Sequence, residues 1–466
     1  MNVRVLKRDT GTDRPVVVMK SGNADGAKGS SYSAIVDGQL KKEEPLGKAK
    51  QFEISQDAVK SAFRRVKASK GAAGVDGESI AEFERELENN LYKIWNRMSS
   101  GTYMPPPVRS VEIPKENGKG VRRLGVPTVA DRVAQTVVKL YLEPEVEPMF
   151  HPDSYGYRPR KSALDAVATA RQRCWQSSWV IDLDIRAFFD NLDHKLVLHA
   201  VKKHTERMWI LLYIERWLKA PMQMEDGTLI PRTSGSPQGS VISPLISNIF
   251  MHHAFDEWMR KTFPDLSFER YADDAVVHCQ SEQQAKHVRN AIAQRLALCK
   301  LELHAEKTKI VYCKDERRSG NYEQEGFDFL GYTFRPRSAR TRKGRLFVSF
   351  GPAISDKAAK EIRATIRGWR LHWQTNATLS ELARNCNQQV RGWINYYGRF
   401  YKSALSAALW NIDVYLVRWA QNKYRRLRRS STRAWQWWER VRAQAPSLFA
   451  HWTIVRRSES RVMGAG

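Results

Sequence analysis

The chain has 466 residues, 42% of them hydrophobic, which is enough for roughly three domains with buried cores. Lys and Arg number 77 against 50 Asp and Glu, a net charge of +27 that points to a polyanionic partner. With no 18-residue apolar run, no signal-peptide pattern and five widely spaced cysteines lacking C-x-x-C pairs, the sequence argues against a membrane span, a secreted disulfide scaffold and a cysteine zinc site.

Residues 1–50 carry Gly, Ser, Asp and Lys without periodicity, and Ser21 to Ser33 is rich in small residues, so this segment reads as a flexible leader. Apolar spacing predicts helices over 78–98 and 128–143, separated by the extended break Pro105-Pro106-Pro107. Val111 to Ile113 and Leu124 to Val126 read as short strands around a Gly-containing turn. Ser162 and Asp165 have capping-box spacing, which predicts a helix over 163–176. Residues 179–185 form the clearest strand; a period of two puts Val180, Asp182 and Asp184 on one face. A strand–turn–strand unit follows at 267–279 with Asp273-Asp274 at its tip. Another strand is expected at 346–350, with Pro352 near a domain boundary. Three amphipathic helices are expected at 355–374, 379–400 and 404–428.

Paired carboxylates on neighbouring strands carry a specific chemistry. Joining a nucleotide to a growing strand needs divalent cations held close together, and Mg²⁺ prefers hard oxygen ligands. Asp184 at one strand end and Asp273-Asp274 at a hairpin tip form such a set, with Asp182 as an alternative to Asp184. Asp-Asp at a turn also serves plain turn chemistry; the second aspartate-bearing strand upstream favours the metal reading.

Tyr271-Ala272-Asp273-Asp274 is similar to the signature of reverse transcriptases. The remaining blocks of that family stand in order around it. Ile113-Pro114-Lys115 with Arg122 to Pro127 resembles the fingers strands, and Phe150 to Pro159 the next block. Asp184 to His194 resembles the first catalytic block, and Gly235 to Leu245 the block before the Asp pair. Glu306 to Lys309 and Phe329 to Tyr332 complete the series, and Gly74 to Gly77 lies in a segment like the family's N-terminal extension. The wording is that of group II intron reverse transcriptase/maturases, across roughly 52–452.

The resemblance implies an α+β fold: right-hand polymerase fingers and palm with an antiparallel palm sheet over 51–350, then an all-α thumb/maturase domain over 351–452 and a tail over 453–466. It implies an RNA-directed DNA polymerase that binds group II intron RNA, assists its splicing and copies it for retrohoming. Its cofactors would be two Mg²⁺, with Mn²⁺ as a substitute. Its partners would be intron RNA, an RNA template/DNA primer duplex, dNTPs and target DNA, in a bacterial cytoplasm and without a membrane. By the same resemblance Asp184 and Asp273 are metal ligands supported by Asp274. Phe189 is the steric gate against a ribose 2′-hydroxyl, and Lys115 and Arg122 hold the triphosphate, with Arg123 an alternative. Gln238 packs on the incoming nucleotide, Lys307 stands near the pyrophosphate, and Phe329, Leu330, Gly331 and Tyr332 form the primer grip. Many relatives carry a C-terminal endonuclease with His and Cys pairs. No such cluster follows Trp452, so none is expected, and insertion would use a nick, a fork or single-stranded DNA.

Residues 351–466 hold 21 Lys and Arg against six Asp and Glu, +15 of the +27, together with nine of the 15 Trp. Cations for phosphates and rings for unstacked bases suit an RNA surface, although core packing explains most of the Trp. Core packing does not explain Arg425-Arg426-Leu427-Arg428-Arg429, and Arg425, Arg426, Arg428, Arg429 and Arg391 are the expected RNA contacts. Two other readings fit the same residues: a splicing factor with an idle polymerase, and a relative recruited to phage defence.

Overall fold

The computed structural model describes residues 2–6, 16–20, 51–114, 121–341 and 343–455. The chain forms two compact units interleaved along the sequence. Residues 1–162, 183–275 and 288–307 make the first; 163–182, 276–287 and 308–466 make the second.

Strands β1 (Asn2–Leu6) and β2 (Val16–Lys20) pair antiparallel inside the segment expected to be a flexible leader. Their Val-containing runs supply the β propensity that a search for longer periodicity passes over. Residues 21–50 lie outside the described residues. Helices α1 (Gln56–Ser69), α2 (Ile80–Arg85) and α3 (Leu87–Ser99) follow. Ser79 and Glu82 form a reciprocal capping box at α2, and the single helix expected over 78–98 breaks at Glu86. Strands β3 (Val108–Pro114) and β4 (Val121–Val126) form the expected hairpin, with Pro114 opposite Val121. Helix α4 (Val129–Val146), capped by Thr128, is buried along most of its length.

Helix α5 (Ala163–Gln176) agrees with the sequence expectation. Strand β5 (Trp179–Leu183) stops one residue before Asp184, shorter than expected, and α6 (Phe188–Asn191), α7 (His194–Lys202) and α8 (Met208–Lys219) follow. The short strands β6 (Met222–Gln223) and β7 (Leu229–Ile230) extend the hairpin into a sheet of order β4-β3-β6-β7. Helix α9 (Ser243–Met251) continues through a π turn at His252–Asp256 into α10 (Glu257–Thr262). Strands β8 (Phe268–Tyr271) and β9 (Asp274–Cys279), helix α11 (Glu282–Leu298) and strand β10 (Lys309–Tyr312) complete a second sheet, in order β10-β5-β9-β8. Val180, Ile181, Val276, Val277 and Val311 are fully buried in it, as a strand covered on both faces requires.

Strands β11 (Phe327–Phe329), β12 (Tyr332–Arg340) and β13 (Leu346–Ile354) form an antiparallel sheet in that order. Pro352 lies inside β13 opposite Phe334, and β13 is an edge strand of this described sheet, where a missing N–H costs little. Helices α12 (Asp356–Gly368), α13 (Leu379–Tyr397) and α14 (Lys402–Lys423) appear, each shorter than its expected range. A fourth helix, α15 (Ser431–Gln444), was not expected, because the preceding arginine run interrupts the apolar stripe. Its Trp438 joins Ile362, Ile366, Leu382, Ile412 and Trp419 in one apolar core. No helix among the described residues is long and apolar enough to cross a membrane.

Candidate active site

Asp184 follows the last residue of β5, where the chain leaves the strand while staying paired. Its carbonyl accepts from the His304 N–H at 2.8 Å, and the Arg186 N–H donates to the Glu302 carbonyl at 2.8 Å. The turn after His304 places Lys307, whose ammonium lies 2.9 Å from the Asp184 carboxylate. Asp182 instead sits inside β5 opposite Lys309 of β10.

Asp273 lies in the β8–β9 turn, where Ala272 takes a left-handed φ of 60°, and Asp274 opens β9. Loss of hydration raises the Asp273 carboxyl above its usual range; the Asp184 charge adds to this, and Arg122 and Arg270 oppose it. Asp274 is raised too, by loss of hydration first and then by Asp273 and Asp184, with Lys307 opposing. Its surface is nonetheless solvent-accessible. The three carboxylates therefore repel one another across a shared space. Among the described residues no group of three or more His, Cys, Asp and Glu is drawn together tightly enough to cage an ion; the Lys307 ammonium supplies the positive charge beside Asp184. Hard oxygen donors that destabilise one another as anions nevertheless fit divalent cations in donor type and in charge.

Arg270 anchors this turn from beneath. It and Asp256 are fully buried and joined by two bonds of 2.7 Å. The same guanidinium donates to Asn248 at 3.1 Å, to Ser154 at 2.8 Å and to the Ala272 carbonyl at 2.9 Å. The Asn248 amide in turn donates to the Gly156 carbonyl at 2.7 Å. A Cβ on Gly156 would lie 2.4 Å from the Ala272 nitrogen, so only glycine lets the 150–157 loop pack so closely. Tyr157, from the same loop, is pushed up to about 12, by burial first and then by Asp273. Sequence reasoning missed Arg270, Asp256, Asn248 and Tyr157 as site residues. The available signal was the charged pair Glu269-Arg270 between the aromatic residues of the strand Phe268–Tyr271.

The Gly235 to Gly239 loop meets the fingers hairpin. The Gly125 N–H donates to the Gln238 carbonyl at 2.8 Å, and Arg122 Nε donates to the Gln238 side-chain oxygen. Arg123 is instead paired with Glu112 at 3.0 Å, which leaves Arg122 as the cation facing the loop. Gly235 needs its φ of 81°, since a Cβ there would meet the Asp190 and Phe189 carbonyls within 3 Å. The Ser236 N–H donates to the Phe189 carbonyl at 2.7 Å, and the buried Phe189 ring packs edge-on against Phe188 at 5.1 Å. Lys115 lies outside the described residues.

Gln135, also missed, supports the loop from α4: its side-chain oxygen accepts from the Ser240 hydroxyl at 2.6 Å and the Val241 N–H at 2.8 Å. Its amide donates to Asp131 at 2.9 Å. Burial pushes Asp131 from 3.8 up to about 6, against hydrogen bonds from Trp217, Tyr103 and Gln135. A carboxyl that keeps its proton longer when folded stabilises the fold at low pH. That contribution is lost as pH rises from about 4 to about 6. Urea midpoints across this window should fall for the wild type more steeply than for Asp131→Asn; equal slopes would contradict the assignment.

The primer-grip candidates lie at the β11–β12 turn. Phe329 and Tyr332 are buried, and the turn itself is made by Leu330 (φ 51°) and Gly331 (φ 79°). Tyr396 Oη donates to the Leu330 carbonyl at 2.8 Å, and a Cβ on Gly331 would come within 3.1 Å of Tyr397 Oη. Arg391 is exposed on α13. Arg425, Arg426, Arg428 and Arg429 are exposed in the turn after α14, around the buried Leu427, and none pairs with a described carboxylate.

Residues 113–334 match the family described as Reverse transcriptase (RNA-dependent DNA polymerase), and residues 359–438 the Group II intron, maturase-specific domain. Protein YkfC of Escherichia coli is 31% identical over 330 residues, covering 62% of this chain and 82% of that protein. The group II intron-encoded protein LtrA of Lactococcus lactis is 32% identical over 204 residues, 43% of this chain and 33% of LtrA. A putative COX1/OXI3 intron 1 protein of Saccharomyces cerevisiae is 26% identical over 253 residues, 54% of this chain and 29% of that protein. The chain thus carries a reverse transcriptase domain followed by a maturase domain, and it belongs to the reverse transcriptase/maturases encoded by group II introns.

Proposed function

We propose that this polymerase copies group II intron RNA into DNA at the Asp184, Asp273 and Asp274 carboxylates, and that residues 351–452 grip that RNA and assist its splicing. The observation that carries the catalytic reading is the mutual repulsion of these three carboxylates inside one compact unit, beside Arg122 and Lys307. Two Mg²⁺ bound there would lower the pKa of a primer 3′-hydroxyl and neutralise the triphosphate. Mn²⁺, also a hard cation, is expected to substitute.

The protein's own part is positioning. Asp184 and Asp273 are the ligands, with Asp274 beside them. Arg122, oriented by Gln238, offers its guanidinium to the dNTP triphosphate, with Lys115 as a second cation. Lys307 leaves Asp184 for the pyrophosphate side as charge develops there. The Phe189 ring, held by Phe188 and by the backbone bond to Ser236, forms the wall against a 2′-hydroxyl. The Leu330-Gly331 turn, braced by Tyr396, supports the primer strand. The matches over 113–334 and 359–438 support taking 51–350 as fingers and palm and 351–452 as thumb and maturase region. Retrohoming into target DNA and a bacterial cytoplasmic setting follow from the same reading.

Primer extension on an RNA template with Mg²⁺, run beside self-splicing of the flanking intron with and without protein, tests this. Extension and accelerated splicing together are the expected result. Splicing help without extension would leave an RNA-binding maturase, and neither would end the proposal. The basic turn makes a further prediction: log–log plots of intron RNA affinity against salt should be steep. Replacing Arg425, Arg426, Arg428 and Arg429 together by Gln should flatten the slope by about 3. An unchanged slope would remove that turn from the interface.

A further inference from the structure

Among the tryptophans of the second unit, Trp373 is set apart by exposing 67% of its surface. Trp419, Trp438 and Trp452 are buried, Trp369 stacks on Trp393 at 5.6 Å and Trp410 on Trp435 at 5.0 Å, so those rings are accounted for by packing. Trp373 has cations and rings beside it instead. The Arg370 guanidinium lies 5.6 Å from its centroid and the His372 ring 5.3 Å away. His372 stacks on Tyr415 at 5.3 Å with planes 28° apart, and the Arg418 guanidinium stands 5.7 Å over Tyr415. A row of π faces and cations thus crosses the surface from Arg370 to Arg418.

The loop that presents it is held firmly. Arg370 sits at a left-handed φ of 49°, which a non-glycine residue adopts only where its surroundings impose it. The neighbouring Leu371 is buried in the core. From α14, Trp419 Nε1 donates to the Gln374 carbonyl at 2.9 Å, Asn422 to the His372 carbonyl at 2.7 Å and Lys423 to the Ala377 carbonyl at 2.7 Å. Burial, then Arg418 and Arg370, lowers the His372 pKa.

We propose that this surface takes unpaired nucleotides of RNA: a base stacks on Trp373, and Arg370 and Arg418 hold the adjoining phosphates. It rests on the RNA-gripping reading of residues 351–452 and adds which strands are gripped there, and how. Paired RNA hides its base faces and leaves the indole bare, whereas a splayed loop or single strand covers it. An apolar protein partner would favour apolar neighbours, but the flanking groups are guanidiniums on a strongly basic segment.

Full-length wild type, Trp373→Ala and Trp373→Phe are compared for binding a labelled oligoadenylate and a blunt-ended, fully paired RNA duplex. Thermal melting confirms that each variant is folded. The expected result is a loss of about 5- to 100-fold for Trp373→Ala on oligoadenylate, most of it recovered by Phe, with duplex binding within about twofold. Wild-type oligoadenylate affinity in Trp373→Ala, or an equal loss on both RNAs, would overturn the stacking assignment and leave the polymerase and maturase reading standing. A wild type that binds neither RNA would instead remove the RNA grip itself.

Discussion

Asp273→Ala should lower primer extension on RNA by about a thousandfold or more, because the loss of a ligand removes several kcal/mol of transition-state charge stabilisation. The fold should survive the change. Asp273 is held against its own electrostatic interest: lost hydration and the Asp184 charge both raise its carboxyl. In the absence of divalent cation, therefore, the melting temperature of Asp273→Ala should equal or exceed that of the wild type. A variant that keeps activity would unseat Asp273 as a ligand. One that loses activity and melts well below the wild type would make its role structural.

Arg270→Leu should be the most destabilising change near the site. It strands the Asp256 carboxylate, fully buried, without its partner, which costs about 3–5 kcal/mol. It also removes the bond that holds the Ala272 carbonyl, one residue before Asp273. A displacement of the turn by about 1 Å is enough to lower turnover on the order of a hundredfold. Adding Asp256→Leu should recover much of the stability in urea titrations, since two apolar side chains replace a buried ion pair with little penalty. Activity should not return with it, because nothing then holds the turn. Recovery of both by the double variant would mean that the pair serves stability alone. Arg270→Lys keeps the charge but not the planar fork that reaches Asp256, Asn248, Ser154 and Ala272 together, and should fall between.

The parts of the site carried by local pattern were legible before the fold was known. Alternation marked the strands that bring Asp184 and the Asp273-Asp274 turn into one region, and family resemblance singled out Arg122, Gln238 and Lys307. The structure favours Arg122 over Arg123, because Arg123 is neutralised by Glu112 across the hairpin. What local pattern does not carry is pairing between distant segments. Arg270 meets Asp256 through a π turn whose extra residue leaves no mark in composition. Gln135 reaches the Ser240 and Val241 backbone from more than a hundred residues away. That β13 runs on through Pro352 is legible only from the strand order, which puts β13 at an edge. Helix α15 was hidden because the arginine run before it interrupts the apolar stripe, although its Ala434 and Trp438 reach the core.

On the proposed mechanism, Asp184 and Asp273 would share divalent cations at the site of nucleotide addition. Anomalous diffraction from crystals grown with template, a 3′-deoxy primer, the next dNTP and Mn²⁺ measures it directly. Mn²⁺ peaks are expected within about 2.5 Å of oxygens from both carboxylates, with Lys307 released from Asp184. Metal bound elsewhere, or a nucleotide seated with these two carboxylates apart and unligated, would contradict it.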